Sequence, residues 1–138
     1  MEALREILGA NGVLEDPADM VAFLDDPLGA DATPPRAVLR PASTSEVRAA
    51  MRWCHDEGLS VVPQGGLTGL TQAAVPVDLE RVVVLSLGRM NRLRDLDPDS
   101  ATATVDAGMV LADLRARAEQ AGLYFPLFHG AVGSSQIG

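Results

Sequence analysis

The 138-residue chain contains no lysine; all 11 of its basic residues are arginine. That absence excludes, within the chain, a Walker-type phosphate lysine, a Schiff-base lysine and a Ser–Lys dyad. Cysteine is almost as scarce. A single Cys54 allows neither an internal disulfide nor a cysteine-based zinc site. The two histidines, His55 and His129, lie too far apart in sequence to share metal-ligand spacing, so no metal is expected. Positive charge is outweighed by 19 acidic residues, for a net charge of −8. Phosphate backbones and anionic membranes are held by Lys and Arg, so neither nucleic acid nor a membrane surface is an expected partner. A long apolar run is also missing. The one uncharged stretch of 20 residues, Gly58 to Val77, is interrupted by Pro63, Pro76, four glycines, Gln64 and Gln72, which does not suit a membrane span. The opening Met1-Glu2-Ala3-Leu4-Arg5-Glu6 is mixed-charge and lacks the basic-then-apolar order of a signal peptide. A cytoplasmic location is the expectation.

What is present is enough for one domain: 47% of the residues are hydrophobic, too many for a disordered chain. Residues 1–30 read as short helices. Leu4, Ile7 and Leu8 share one helical face, Asp16-Pro17 reads as an N-cap with proline at the first helical position, and Met20, Val21 and Leu24 form the next buried stripe. Asp25-Asp26-Pro27 stops that helix, and residues 27–35 read as loop. Residues 37–40 are a short apolar strand. Ser43-Thr44-Ser45-Glu46 is a capping box opening a helix with Val47, Ala50, Met51 and Cys54 inward and Gly58 at its C-terminal end. Residues 60–63 form a second strand, paired in parallel with the first through a right-handed crossover. Residues 82–85 are a continuous apolar strand, covered on both faces. Residues 92–96 and 102–106 flank Asp97-Pro98-Asp99-Ser100 as a hairpin around a type I turn. A helix over about 110–121 follows, with Leu111, Leu114 and Ala118 inward and Gly122 after it.

Two segments free of Asp, Glu, Lys and Arg carry the candidate chemistry. The first, Pro63-Gln64-Gly65-Gly66-Leu67-Thr68-Gly69-Leu70 and on to Pro76, leaves the carboxyl end of a parallel strand, the edge where open α/β sheets bind ligands. Glycines there allow positive φ and close approach to backbone N–H groups, which form an anion-binding nest without lysine; Thr68 adds a hydroxyl. The competing reading is a plain glycine-rich connection. The spacing is not Gly-x-Gly-x-x-Gly and no helix follows directly, so a Rossmann site does not fit. The second segment runs from Gly130 to Gly138 and again offers small residues and backbone amides; alone, it reads equally as a frayed terminus. His129 has no carboxylate or nucleophile that can be placed beside it and reads as a polar loop residue. Cys54 and His55, adjacent on a helix, point apart and make no dyad. Asp95, Asp97 and Asp99 read as a solvated turn, since the glycine and distal glutamate of a calcium loop are absent. Arg89, Arg92 and Arg94 read as an edge or interdomain contact.

Together these strings resemble the flavoprotein family typified by D-2-hydroxyglutarate dehydrogenase, D-lactate dehydrogenase and the glycolate oxidase D subunit, which share a vanillyl-alcohol-oxidase (PCMH) type FAD-binding domain. The resemblance runs from about Ala37 to Gly138 through Arg40-Pro41-Ala42-Ser43-Thr44, Val62-Pro63-Gln64-Gly65-Gly66, Thr68-Gly69-Leu70, Val75-Pro76, Arg89-Met90-Asn91-Arg92, Val105-Asp106-Ala107-Gly108, Gly122-Leu123-Tyr124-Phe125-Pro126, Gly130-Ala131, Gly133-Ser134 and Ile137-Gly138. It implies an α+β fold: a small parallel α/β subdomain over about 1–88, then the start of an antiparallel subdomain over 89–138, incomplete. It implies that the first loop, Pro63 to Leu70, cradles the FAD diphosphate, and that Gly130, Ala131, Gly133, Ser134, Ile137 and Gly138 line the cofactor from the other side. The family usually carries Asn or Gly where Leu67 stands, a Gly pair where Gln72-Ala73 stand, Asp at Phe128 and often Cys at Ser135, so the loop is expected to hold FAD less well or differently. No histidine lies in the first loop, which implies non-covalent FAD.

The resemblance also implies a parent enzyme moving a hydride from the α-carbon of a 2-hydroxy acid to FAD and then to a quinone, cytochrome or flavoprotein. An acceptor of that kind can place the parent at the inner membrane as a peripheral protein. The substrate domain lies downstream and no residue here is assigned catalysis. The alternative is an acidic, non-catalytic α/β binding module. The ending at Gly138 reads as the middle of a loop, and the second segment is expected to have few contacts. The 138 residues alone are expected to bind little or no FAD.

Overall fold

The computed structural model describes residues 1–25, 27–29, 31–77 and 80–138. Asp26, part of the expected helix stop, and Ala30, in the expected 27–35 loop, lie outside the described residues. The chain runs α1 (Glu2–Leu8), a 3-10 turn (Ala10–Gly12), β1 (Val13–Leu14), α2 (Pro17–Met20), a second 3-10 turn (Val21–Phe23), β2 (Val38–Leu39), α3 (Thr44–Asp56), β3 (Ser60–Gln64), β4 (Val82–Ser86), β5 (Leu93–Asp97), β6 (Thr102–Val105) and α4 (Leu111–Gln120).

The first sheet has the order β1-β2-β4-β3, with β4 parallel to both β2 and β3 and β1 antiparallel to β2. This corrects two expectations. The strands flanking α3 are parallel but not neighbours: β4 lies between them. Its uninterrupted Val82-Val83-Val84-Leu85 is the most apolar strand, and only the central place buries both of its faces. The second correction is β1, a strand within the segment read as helical. Two residues carry too short a pattern to register as a period, and β1 exists because β2 offers an edge to pair with.

The two sheet faces differ. On one, Val83, Leu85 and Leu39 meet Leu4 and Leu8 of α1 and Ala50 and Cys54 of α3. On the other, Val38 and Val84 meet Met20, with Leu14 and Phe23 at the margin. Burial also pushes the Cys54 thiol pKa up, leaving it an inert core group. Four expected core positions are outside it: Ile7, Met51 and Val21 are exposed at 43%, 43% and 64%, and Leu24 is only partly buried and joins neither cluster. Val21 lies in a 3-10 turn rather than a continued helix, so its side chain leaves the Met20 face.

The caps form as the sequence indicates. Ser43 Oγ accepts from Glu46 N–H at 3.2 Å, and the Glu46 carboxylate reaches back to Ala42 N–H at 2.8 Å. Asp16 Oδ1 accepts from Ala18 N–H at 2.9 Å, with Pro17 opening α2. Gly58 and Gly122, at φ 62° and 74°, follow the last residues of α3 and α4. The hairpin β5–β6 turns through Asp97-Pro98-Asp99-Ser100, where Asp97 accepts from the N–H groups of Asp99 and Ser100 and the Ser100 hydroxyl. Those three donors hold the Asp97 pKa below the ordinary carboxylate value, the hydroxyl contributing most. Asp97 and Asp99 thus belong to the turn, whereas Asp95, expected there too, lies within β5 opposite Thr104. Among the described residues, no cluster of three or more His, Cys, Asp or Glu suits a metal, and no helix is long and apolar enough to cross a membrane.

Candidate cofactor site

β3 ends at Gln64, at the carboxyl end of the parallel sheet, and the first glycine-bearing loop begins there. Pro63 sits on β3, an edge strand, where its missing N–H costs no ladder bond, and it is exposed to solvent. The Gln64 side chain is 2% exposed and points inward. Its Nε2 donates to Phe23 O and to Ala74 O, each at 2.8 Å. Gln64 therefore ties the start of the loop to its far end and to the turn after α2. The loop's return is fixed by buried Val75 and Pro76, with Thr33 N–H donating to Pro76 O at 2.7 Å.

The second segment is more firmly held than expected. It runs antiparallel to residues 107–112: Leu111 N–H donates to Ser135 O at 2.9 Å and Ala112 N–H to Val132 O at 3.0 Å. In return, Ile137 N–H donates to Met109 O at 3.0 Å and Gly138 N–H to Ala107 O at 2.8 Å. No side chain caps α4, so the second segment satisfies two of the orphan N–H groups at its start. The expectation of few contacts is thus corrected. Backbone bonds of this kind leave no composition signal, and a Gly/Ser-rich string reads the same tied or loose.

The two segments meet. Thr68 Oγ1 and buried Ser135 Oγ are 2.7 Å apart. A Cβ on Gly66 would stand 1.9 Å from Ser134 O, and one on Gly65 3.0 Å from Gly138 O. Neither glycine has positive φ; Gly66 is required by close backbone approach, and a side chain at Gly65 would be a tight fit. Positive φ falls instead on Leu67 at 54° and Gln72 at 57°, the positions where glycine or asparagine is usual in the family the chain resembles. The loop backbone takes a glycine-like path through residues that disfavour it.

Between the segments lies an open cleft of about 830 Å³, lined by Pro27, Leu67, Thr68, Leu70, His129, Gly130, Ala131, Ser134, Ser135 and Gln136. Of the sequence-based candidates, Leu67, Thr68, Leu70, Gly130, Ala131 and Ser134 line it. Gly65 and Gly66 lie behind it in the contact between segments. Gly69 and Gly133 have open space where a Cβ would stand, and Ile137 and Gly138 pair with residues 107–109. Ser135 and Gln136 are cleft residues the sequence does not single out. Ser135 enters it only as a replacement for cysteine, and Gln136 carries no signal. Gln136 Oε1 is buried with no hydrogen-bond partner. Among the described residues, the N–H groups of 65–70 have no protein acceptor. His129 Nδ1 accepts from Ala131 N–H at 3.2 Å, which shapes the turn rather than preparing a base.

The arginines are structural. Arg89 donates to Arg40 O at 2.7 Å, bridging β2 to the segment after β4. Arg94 Nε donates to Asp106 Oδ1 at 2.5 Å, and Arg92 adds a longer ion pair at 3.8 Å. The Arg94 bond, opposed by burial and helped by both positive charges, holds the Asp106 carboxyl below its ordinary pKa.

The FAD binding domain family matches residues 35–138. The chain belongs to that family. It is 36% identical to the D-2-hydroxyglutarate dehydrogenase of Stutzerimonas stutzeri, covering 100% of this chain and 29% of that protein. It is 38% identical to the D-2-hydroxyglutarate–pyruvate transhydrogenase of Saccharomyces cerevisiae, covering 97% and 27%. Among solved structures, alkyldihydroxyacetonephosphate synthase superposes with a TM-score of 0.87 at 20% identity, over 99% of this chain and 27% of that one. p-Cresol methylhydroxylase does so at 0.79 and 22%, over 96% and 26%; at these identities the likeness shows the fold alone. The chain spans under a third of the length of the relatives it matches.

The site fits the cofactor of its family. FAD brings a diphosphate needing several N–H donors, and the unpartnered amides of 65–70, on a loop that Gly66 lets approach the second segment, meet that need.

Proposed function

We propose that this chain is the FAD-binding segment of a flavin-dependent 2-hydroxy-acid dehydrogenase. In the longer protein, the α-carbon of the substrate gives up a hydride, its hydroxyl loses a proton, and electrons pass on to a quinone, cytochrome or flavoprotein acceptor. The substrate class rests on the relatives. The observation that carries the site is the junction of the two segments, where Gly66 lies against Ser134 and Thr68 bonds Ser135.

Bound FAD supplies the two-electron chemistry. The chain's own residues do the binding. Backbone N–H groups of Gly65 to Leu70 and the Thr68 hydroxyl face the diphosphate; Gly130, Ala131, Gly133 and Ser134 form the opposite wall. Pro63 and Gln64 shape the loop from behind, and Ile137 and Gly138 anchor the second wall. None of these groups moves a proton, and catalysis belongs to residues outside this chain. We place the change from parallel-sheet unit to hairpin unit near residue 89. The low FAD affinity expected of the isolated chain rested on an unsecured second wall. With that wall bonded to 107–112, we propose that the chain binds FAD by itself, without a covalent bond.

Titration with FAD, followed by quenching of flavin fluorescence, tests this. The expected result is saturable one-to-one binding, with all flavin released by acid precipitation. Absence of saturable binding overturns the reading, and flavin retained in the precipitate overturns the non-covalent part. Turnover of D-2-hydroxyglutarate or D-lactate with an artificial acceptor, tested on the longer protein, decides the substrate class.

A further inference from the structure

The residues that line the cleft are of two kinds. Thr68, Ser134, Ser135 and Gln136 offer polar groups; Pro27, Leu67 and Leu70 offer hydrocarbon. A diphosphate cradle has no use for hydrocarbon. Leu67 is also the wrong residue for its backbone: its φ of 54° crowds Cβ against the following carbonyl, a conformation that glycine or asparagine adopts far more readily. Its side chain is half-buried and absent from the core clusters of the sheet, so core packing does not explain its presence. A second residue of the same loop gives the contrast. Gln72 has φ 57°, the same disfavoured region, yet it is exposed and lies outside the cleft lining. The two positions carry similar backbone strain, and only one of them lines the ligand space.

Resting on the reading that this cleft holds FAD, we infer that Leu67 is a positioning residue: its side chain, with Leu70 and Pro27, forms an apolar shelf for a flat ring of the dinucleotide. The strained backbone at 67 is kept because leucine supplies a surface that glycine cannot. Strain retained at a binding site in return for a ligand contact predicts opposite signs for stability and binding. A purely structural leucine predicts that both fall together.

The test compares Leu67→Gly, Leu67→Asn, Leu67→Met and Gln72→Gly in the 138-residue chain, reading thermal midpoint and FAD dissociation constant. Leu67→Gly and Leu67→Asn are expected to melt a few degrees higher than wild type while binding FAD roughly tenfold more weakly, the effect of losing part of a buried leucine contact. Leu67→Met, which keeps the hydrocarbon, should bind like wild type. Gln72→Gly should gain the same stability with no change in affinity. Competition by FMN and by ADP then tells which ring lies on the shelf: only the fragment carrying it should weaken in Leu67→Gly. Should the Leu67 variants bind FAD as Gln72→Gly does, or melt lower than wild type, the inference is overturned while the FAD reading stands. Failure of the wild-type chain to bind FAD removes both.

Discussion

Between its main-chain anchors at Gln64 O and Pro76 O the first glycine-bearing loop is fastened by side chains, whereas the second is fastened by main chain along its length. Gln64 clamps the first through two carbonyls, and Thr68 links it to Ser135. The second pairs its own N–H and C=O groups with residues 107–112. Side-chain fastenings are set residue by residue and break one substitution at a time. Main-chain pairing tolerates changes of side chain so long as the backbones can approach. Departures from the family pattern fall in both: Leu67, Gln72 and Ala73 in the first loop, where side chains do the fastening, and Ser135 in the second, at the one point where its side chain bonds the first.

The largest break in this comparison comes at the one point where the loops are fastened to each other by lack of space. Gly66→Val forces its Cβ into Ser134 O, and the backbones must part. Loss of at least a hundredfold in FAD affinity is expected, with a stability loss of about 3 kcal/mol or more on the scale of overpacking; urea melts and FAD titration check both. Survival of wild-type affinity would remove the contact from the site.

Next is Gln64→Leu. It keeps the volume but leaves Phe23 O and Ala74 O without their donor, for an expected loss of about 2–3 kcal/mol. Limited proteolysis should quicken within residues 65–76 and stay unchanged in 130–138. Equal quickening in both loops would show that they are fastened as one unit.

Thr68→Val asks how much the single side-chain link between the loops contributes. It deletes one hydroxyl partner of Ser135 at 2.7 Å, and about 1 kcal/mol is expected, recovered in part by Ser135→Ala in the same chain. Full additivity of the two substitutions in a double-mutant cycle would rule the link out.

The smallest effect concerns the support of the second loop. Asp106 precedes the segment to which that loop pairs, and Arg94 holds its carboxyl below the ordinary value. Because the folded pKa is lowered, the stabilisation is present above the unfolded value near 3.9 and is lost as pH falls through the folded one. Wild type should therefore melt above Asp106→Asn at neutral pH, and the gap should close below about pH 4. A gap independent of pH would mean that Asp106 acts by shape alone.

Local features were legible wherever a few neighbouring residues decide the outcome. The Ser43 and Asp16 caps, the glycines after α3 and α4, the Asp97 turn and the apolar run of β4 each follow from chemistry within four or five positions. The cradle was legible in part. Its place at a strand end and its glycines could be read, but not the reason for those glycines. Gly66 serves the approach of a segment some 70 residues away rather than positive φ, Gly65 fits tightly against the same segment, and positive φ sits at Leu67 and Gln72.

By itself the sequence determined the kinds of element other than β1, most of their ends, and the two uncharged segments from which a lysine-free anion site can be made, because propensity, capping and turn chemistry act over one or two turns of chain. The tertiary structure decided the rest: that β4 separates β2 from β3, that Gln64 turns inward, that α4 is capped by carbonyls of the second loop, and that Ser135 and Gln136 enter the cleft. Each of these depends on which distant backbone supplies a partner. Hydrogen-bond satisfaction and steric room are settled between segments, and no local pattern of residues encodes them.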